Sequence, residues 1–159
     1  MPVPDFIVRL REQIGHGLLW LPGVTAVVLR DDAKVLLVKR ADDGRWAPIS
    51  GIVEPGEDPV ACAVREVFEE TAVEVEVEGL AWVNVTAPVT YPNGDHAQYL
   101  DHTFRCRYIR GEARVADDES TAVAWFPLDD LPEMTPEVQE RISTSWHHEG
   151  STRLGLRGR

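Results

Sequence analysis

The chain has 159 residues, of which 43% are hydrophobic and 27% charged, and its formal net charge is −11 at pH 7. These proportions are those of a globular protein, and the length predicts a single domain over residues 1–159. The acidic balance argues against a DNA or RNA polymer as partner, since phosphate backbones bind basic surfaces. No apolar run approaches the roughly 20 residues of a membrane-spanning helix, which argues against a membrane partner.

The N-terminal segment has apolar residues at helical spacing and predicts a helix over about residues 4–16. It lacks the basic-then-apolar order of a signal peptide, so we expect a cytoplasmic protein. Two β-branched runs, 23–29 and 34–39, follow as strands joined by a tight turn. Asp58 before Pro59 then predicts a helix that runs to about Thr71. We expect its buried face to consist of Val60, Ala61, Val64, Val67 and Phe68.

The second half of the chain is mostly strands. Alternation from residue 73 and apolar runs at 99–109 and 122–128 predict three of them, and a last helix is expected to begin near Thr135. The Gly- and Arg-rich tail, 150–159, is expected to be flexible. The fold class is therefore α/β (α+β), with a central mixed β-sheet and helices packed on it.

The segment "REVFEE" places three carboxylates together on the middle helix. Glu66, Glu69 and Glu70 are three and four positions apart, so a helix brings them onto one flank, where like charges repel. Their oxygens can converge, and clustered hard oxygen ligands suit Mg²⁺, or Mn²⁺. Bound cations would relieve the repulsion and bridge the acidic flank to a phosphorylated ligand.

Extending this segment outward gives "GIVEPGEDPVACAVREVFEETAV", residues 51–73, which resembles the signature box of the Nudix hydrolases. Eight fixed positions of that box match: Gly51, Glu57, Arg65, Glu66, Val67, Glu69, Glu70 and Val73. Ala72 stands where the family usually has glycine, and Ile49-Ser50 replaces the usual Pro-Gly before the box. The resemblance implies a Nudix-type α/β/α sandwich.

The resemblance also implies roles for individual residues. Glu66, Glu69 and Glu70 are the expected metal ligands, with the backbone carbonyl of Ser50 as a further one, and Glu69 or Glu70 is expected to act also as the base. Gly51, Glu57 and Arg65 would support the site, the last two through an ion pair. The family draws another carboxylate from a loop outside the box. Glu119 is our candidate, with Asp118 as runner-up and a merely solvated loop charge as the alternative.

Three residues are candidates for substrate binding. Trp46, just before the box, and Tyr91, beside the hairpin signal Asn93-Gly94, present rings that can stack on a base. Asp95 can accept a hydrogen bond from one. For all three the competing interpretation is structural: a core tryptophan and an ordinary hairpin turn.

The predicted function is a Mg²⁺-dependent pyrophosphohydrolase that cleaves a nucleoside diphosphate linked to another group X, by water attack at phosphorus. The alternative is a Nudix-like module that binds a nucleotide without hydrolysing it. The box handles only the diphosphate, so the sequence leaves the identity of X open. The apolar segment "LLWLPG", residues 18–23, packs on its own domain or on a second copy, and we expect a homodimer.

Overall fold

A computed structural model describes residues 3–155. This part of the chain contains three helices: α1 (Asp5–Ile14), α2 (Pro59–Thr71) and α3 (Pro136–Trp146). It also contains nine strands: β1 (Leu19–Arg30), β2 (Lys34–Arg40), β3 (Trp46–Ala47), β4 (Ile49–Ile52), β5 (Glu74–Val85), β6 (Val89–Thr90), β7 (His96–Arg110), β8 (Ser120–Pro127) and β9 (Arg153–Leu154). The predicted order of helices and strands is confirmed.

All nine described strands belong to one sheet, whose main path runs β3-β2-β1-β7-β5-β9. The long strand β1 pairs in parallel with β7, whereas β2 and β4 pair with β1 in antiparallel fashion. The sheet is therefore mixed, as predicted. Because β4 directly precedes the helix α2, its pairing with β1 fixes the start of the box to the centre of the sheet.

Helices cover both faces of this sheet, which confirms the sandwich. Successive side chains of a strand point to opposite faces, and β1 uses both. Its even-numbered positions Val24, Ala26 and Val28 belong to the cluster that includes buried residues of α2. Its odd-numbered positions Val27 and Leu29 pack with Ile142 of α3. Two further odd-numbered positions, Leu19 and Leu21, pack against Ile7 of α1.

The prediction for the buried face of α2 was only partly right, because Val67 is buried and Val64 packs against the core, whereas the other three residues are exposed. Val60 and Phe68 are about half exposed, at 47% and 53%. The buried residues are instead Cys62, Ala63, Glu66, Val67, Glu70 and Thr71. Assigning apolar residues to the core and acids to solvent is correct for most helices. Here it fails because two of the three box glutamates point inward.

The described part of the C-terminal tail also differs from expectation. β9 pairs in parallel with β5, and the Trp82 indole Nε1 donates a hydrogen bond to the Gly155 carbonyl oxygen at 2.7 Å. Arg153 contacts Glu140 of α3 at 2.8 Å. Residues 150–155 thus include a strand held to the sheet, and the rest of the predicted flexible segment, 156–159, lies outside the described residues. None of the described helices is both long and apolar enough to cross a membrane.

Candidate active site

The box begins where the backbone of β4 meets a buried glutamate. Glu66 on α2 is 1% exposed, and a Cβ atom placed on Gly51 would lie 2.4 Å from its Cδ, Cγ and Oε1 atoms. Gly51 does not have a positive φ, so backbone conformation does not require glycine here. The missing side chain is what lets the carboxylate approach the strand.

Arg65 organises the carboxylates around the box. Its Nε and Nη2 atoms donate to the two oxygens of Glu57 at 2.7 and 2.9 Å, which confirms the predicted ion pair. Its Nη1 donates to Glu66 Oε1 at 3.0 Å and to Glu69 Oε2 at 3.2 Å. The Arg65 guanidinium holds the pKa of Glu57 below its ordinary value. The positive group on the acidic flank is thus a side chain of the same helix.

Burial makes two of the glutamates weak acids in the metal-free protein. Desolvation raises the pKa of Glu66 to about 7, against the partial compensation from Arg65. The pKa of Glu70 is raised to about 8, mainly by desolvation and, in decreasing order, by repulsion from the negative charges of Glu119 and Asp117. A buried carboxyl group favours its neutral form unless a cation stands beside it. A positive partner would therefore stabilise the ionised form of both residues, and the described side chains supply such a partner only in part.

The segment 111–119 brings two more carboxylates to the end of α2. Its backbone is hydrogen-bonded to the last carbonyls of the helix, from Arg114 N to Thr71 O and from Ala116 N to Glu70 O, both at 3.0 Å. Glu119 follows and raises the pKa of both buried glutamates, so it lies on their side of the segment.

Asp117 is a residue that sequence reasoning missed. It raises the pKa of Glu70 and lines an open groove of about 750 Å³ together with Glu57, Arg65 and Glu69. The run "ADDES" contains three acids, and the sequence carries no signal that separates them. Only the hydrogen bonds between this segment and α2 determine which acid faces the groove.

The carboxylates meet at Arg65 rather than at a single point between them. Within residues 3–155, no three carboxylate, imidazole or thiol groups form an arrangement that could hold a metal ion. The buried Glu66 Oε2 atom nevertheless has no hydrogen-bond partner. A buried acceptor without a partner costs free energy of folding. Glu69 is 42% exposed, so its side chain lies at the surface and has room to turn away from Arg65. The donors are all hard oxygens, the type that divalent cations prefer, and Glu66 Oε2 is the buried oxygen left open for one.

Ser50 and Trp46 face a second cavity. A space of about 190 Å³ is lined by Thr25, Arg40, Asp43, Arg45, Trp46, Ala47, Pro48, Ser50, Thr135, Val138 and Arg141. Ser50 pairs with Thr25 across β4 and β1, and the next residue, Gly51, contacts Glu66. One strand therefore separates this cavity from the acidic site.

Tyr91 and Asp95 are engaged in structural contacts. The Tyr91 hydroxyl is hydrogen-bonded to the Tyr99 hydroxyl. Asp95 Oδ1 lies 2.8 Å from His16 Nδ1, and Asp95 Oδ2 accepts from Asn93 Nδ2 at 3.1 Å and lies 3.4 Å from Arg11 Nε. These contacts join the hairpin to the end of α1, and they leave Asp95 little capacity to accept a hydrogen bond from a substrate.

Comparison with known proteins agrees with this geometry. A family model described as the NUDIX domain matches residues 20–145. A MutT-like protein of Streptomyces ambofaciens is 37% identical over 115 residues, which are 72% of this chain and 69% of that protein. An NAD-capped RNA hydrolase NudC of Pseudomonas aeruginosa is 36% identical over 114 residues, but these are 70% of this chain and only 37% of that protein.

A solved structure shows the same architecture. The crystal structure of a Nudix hydrolase from Nitrosomonas europaea superposes with a TM-score of 0.64 at 25% identity, and the match covers 85% of this chain and 78% of that one. The family model extends over well more than half of the chain and contains all of α2 and β4. The chain belongs to the Nudix hydrolase family.

Proposed function

We propose that this chain is a cytoplasmic, Mg²⁺-dependent pyrophosphohydrolase that cleaves a nucleoside diphosphate linked to another group X, with Mn²⁺ as a second usable cation. One observation carries the proposal: the Glu66 carboxylate is buried against Gly51 with an unpartnered oxygen, beside Glu70 and Glu119. Burying an acid this way destabilises the metal-free protein. Its presence is explained if the acid binds a cation during function.

Glu66, Glu69 and Glu70 would hold the cation, and the Ser50 carbonyl would add a neutral oxygen from β4. A bound divalent cation would neutralise the diphosphate and acidify a water molecule. For this arrangement Glu69 has to leave Arg65 Nη1. Arg65 then remains paired with Glu57 through Nε and Nη2 and with Glu66 through Nη1. Arg65 and Glu57 thereby keep the first turns of α2 in register with the loop that precedes it.

Glu70 and Glu119 are the candidates for the proton acceptor. Burial raises the pKa of Glu70 to about 8 in the absence of metal, and a bound cation would lower this pKa again, so that the ionised carboxylate could take a proton from water. Glu119 lies at the exposed end of the segment 111–119, where water reaches it. Asp117 faces the same groove as Glu69 and is a further candidate for binding the cation.

The cavity beyond β4 is the proposed site for one of the two groups that flank the diphosphate. Trp46 lines it, with its ring edge-on to Phe126 at 4.8 Å between centroids, so the ring is held in place for stacking. A small-molecule substrate agrees with the net charge of −11. One relative is named for a capped RNA, so an NAD-capped RNA belongs among the tested compounds.

The test is hydrolysis by metal-stripped protein with and without added Mg²⁺, using ADP-ribose, ADP-glucose, UDP-glucose, NAD, 8-oxo-dGDP and NAD-capped RNA. We expect phosphomonoester release that depends on the cation. Glu70→Gln should reduce turnover by at least about 100-fold, and Glu12→Gln, a change in an exposed glutamate of α1, should not. No turnover of any compound, or full turnover by Glu70→Gln, would reject the proposal. Tight binding without product would instead favour a nucleotide-binding module.

We also propose that the chain forms a homodimer. Apolar side chains on and just after α1 are exposed without a partner surface in the single chain: Val8 at 47%, Leu10 at 38%, Ile14 at 44%, Leu18 at 55% and Trp20 at 55%. Exposed apolar groups at this density are typical of interaction surfaces. Light scattering should give twice the mass of the chain, and Trp20→Glu should shift the protein to monomer. A monomeric mass for the unmodified protein would reject the dimer.

A further inference from the structure

The cavity that Trp46 lines has a buried polar wall. Arg141 of α3 is 5% exposed and Thr25 of β1 is 7% exposed, and both line the cavity. Both are hydrogen-bonded to Asp101 of β7, which is 6% exposed.

Asp101 and Arg141 form the centre of a buried hydrogen-bond network. Asp101 Oδ2 accepts from Arg141 Nη1 at 2.7 Å and from Thr103 Oγ1 at 3.1 Å, and Thr25 Oγ1 lies 3.1 and 3.0 Å from the two Asp101 oxygens. Arg141 Nη1 also donates to Asn84 Oδ1 at 3.0 Å and Nη2 to Glu137 at 2.7 Å. A charged pair at this depth holds one geometry, because any other arrangement leaves a desolvated charge without a partner.

This network connects the cavity to both of its neighbours. Through Arg141 it fixes α3, which supplies the cavity wall at Thr135 and Val138. Through Thr25 it fixes the point of β1 that pairs with Ser50, one residue before the glycine that contacts Glu66. The same buried contacts therefore set the shape of the cavity and the position of β4, the strand on which the box begins.

We propose that Arg141 and Thr25, joined by Asp101, are positioning residues that determine substrate selectivity, by fixing the walls of the cavity around a group attached to the diphosphate. This inference rests on the proposed function. Neither residue takes part in the chemistry, which belongs to the carboxylates on the other side of β4. Weakening the network should therefore change which substrate is preferred and leave the turnover number largely intact.

Arg105 provides a matched control. It also anchors α3 to the sheet, donating from Nη1 to the Ser145 and Trp146 carbonyl oxygens at 3.0 and 2.9 Å. It acts at the opposite end of the helix from Thr135 and does not line the cavity. Replacing it loosens α3 without changing the cavity wall.

The experiment compares Thr25→Val, Thr25→Ser, Arg141→Met and Arg105→Met with the unmodified protein. ADP-ribose and ADP-glucose differ only in the group X, and ADP-glucose and UDP-glucose differ only in the base, so kcat and KM for these three compounds locate any change. We expect Thr25→Val and Arg141→Met to raise KM at least fivefold and to shift one of the two selectivity ratios at least fivefold, with kcat within threefold. Thr25→Ser, which keeps the hydroxyl, should restore the ratio. Arg105→Met should lower the melting temperature without shifting a ratio.

Two results would overturn the inference. The first is a folded Thr25→Val variant with unchanged KM and unchanged selectivity ratios. Thr25→Val is the mildest variant, so it tests the inference even if Arg141→Met does not fold. The second is a fall in kcat at unchanged KM, which would place the residues with the chemistry. If the unmodified protein hydrolyses none of the six compounds, the proposed function fails and the inference fails with it. If the unmodified protein turns over substrate and the Thr25→Val and Arg141→Met variants have the same KM and selectivity ratios as it does, only the inference is rejected.

Discussion

Gly51→Ala should destabilise the protein through a single contact. The added Cβ would lie 2.4 Å from three atoms of Glu66, about 1 Å closer than the 3.4 Å at which ordinary contact begins. Glu66 has little room to retreat, because it is buried and its Oε1 is held by Arg65 at 3.0 Å. Overpacking of this kind costs about 1–3 kcal/mol. Since the backbone at Gly51 has no positive φ, the cost comes from the contact and not from backbone strain.

Urea unfolding of metal-free protein measures this cost. With an m-value of about 2 kcal/mol per molar urea, the midpoint should fall by about 0.5–1.5 M. The control is Gly51→Ala in a Glu66→Ala background, where the space is open and the same substitution should cost less than about 0.5 kcal/mol. Equal costs in the two backgrounds would refute the conclusion that glycine is required for the approach of Glu66. Activity of Gly51→Ala should fall as well, because the displaced carboxylate is a proposed metal ligand.

Three further predictions follow from the same region. Ala72 ends α2 with φ of 59°, and the left-handed conformation costs a non-glycine residue about 1–2 kcal/mol. Glycine has the larger conformational entropy in the unfolded chain, which offsets part of the strain that Ala72→Gly would relieve. Ala72→Gly should therefore stabilise the protein by about 0.5–1 kcal/mol in urea unfolding. Burial raises the pKa of Glu66 to about 7 and of Glu70 to about 8 from the ordinary 4.5, so the folded metal-free protein keeps protons that the unfolded chain releases; its melting temperature in EDTA should fall as the pH rises from about 5 to about 8. Glu57→Gln removes the main partner of Arg65, whose guanidinium then competes for the carboxylates, so the Mg²⁺ concentration for half-maximal activity should rise severalfold.

Each of these predictions has a control. Ala33 also has a positive φ, 57°, in the turn between β1 and β2, so Ala33→Gly should stabilise similarly; no gain at either position would contradict the estimate of strain. The pH effect should disappear in the double variant Glu66→Gln/Glu70→Gln, and a melting temperature that rises over that interval in EDTA would contradict the burial effect. For Glu57→Gln, an unchanged Mg²⁺ requirement would show that Arg65 does not compete with the cation.

The sequence determined the fold and the chemical character of the site. Hydrophobic periodicity, the Asp58-Pro59 start and the helix start near Thr135 are local signals, and the structure confirms the elements that they predict. In the structure Thr135 Oγ1 caps that last helix by accepting from Val138 N at 3.3 Å. The Glu57–Arg65 pair was implied by the resemblance to the signature box, in which both positions are fixed, and the two residues lie on neighbouring segments of the chain. Such features depend on neighbours along the chain.

Only the tertiary structure decided what faces what. Amphipathic reasoning placed Phe68 inside and the glutamates outside, but Phe68 is half exposed and Glu66 and Glu70 are buried. For Glu66, the glycine of the preceding strand β4 makes room for the carboxylate. Hydrogen bonds between the segment 111–119 and α2 decide which acid of the run 117–119 reaches the groove. The cavity joins Thr25 to Arg141 across more than a hundred residues of chain through Asp101. A side chain's partners are fixed by three-dimensional packing, and no periodicity in the sequence encodes a contact between strands so far apart.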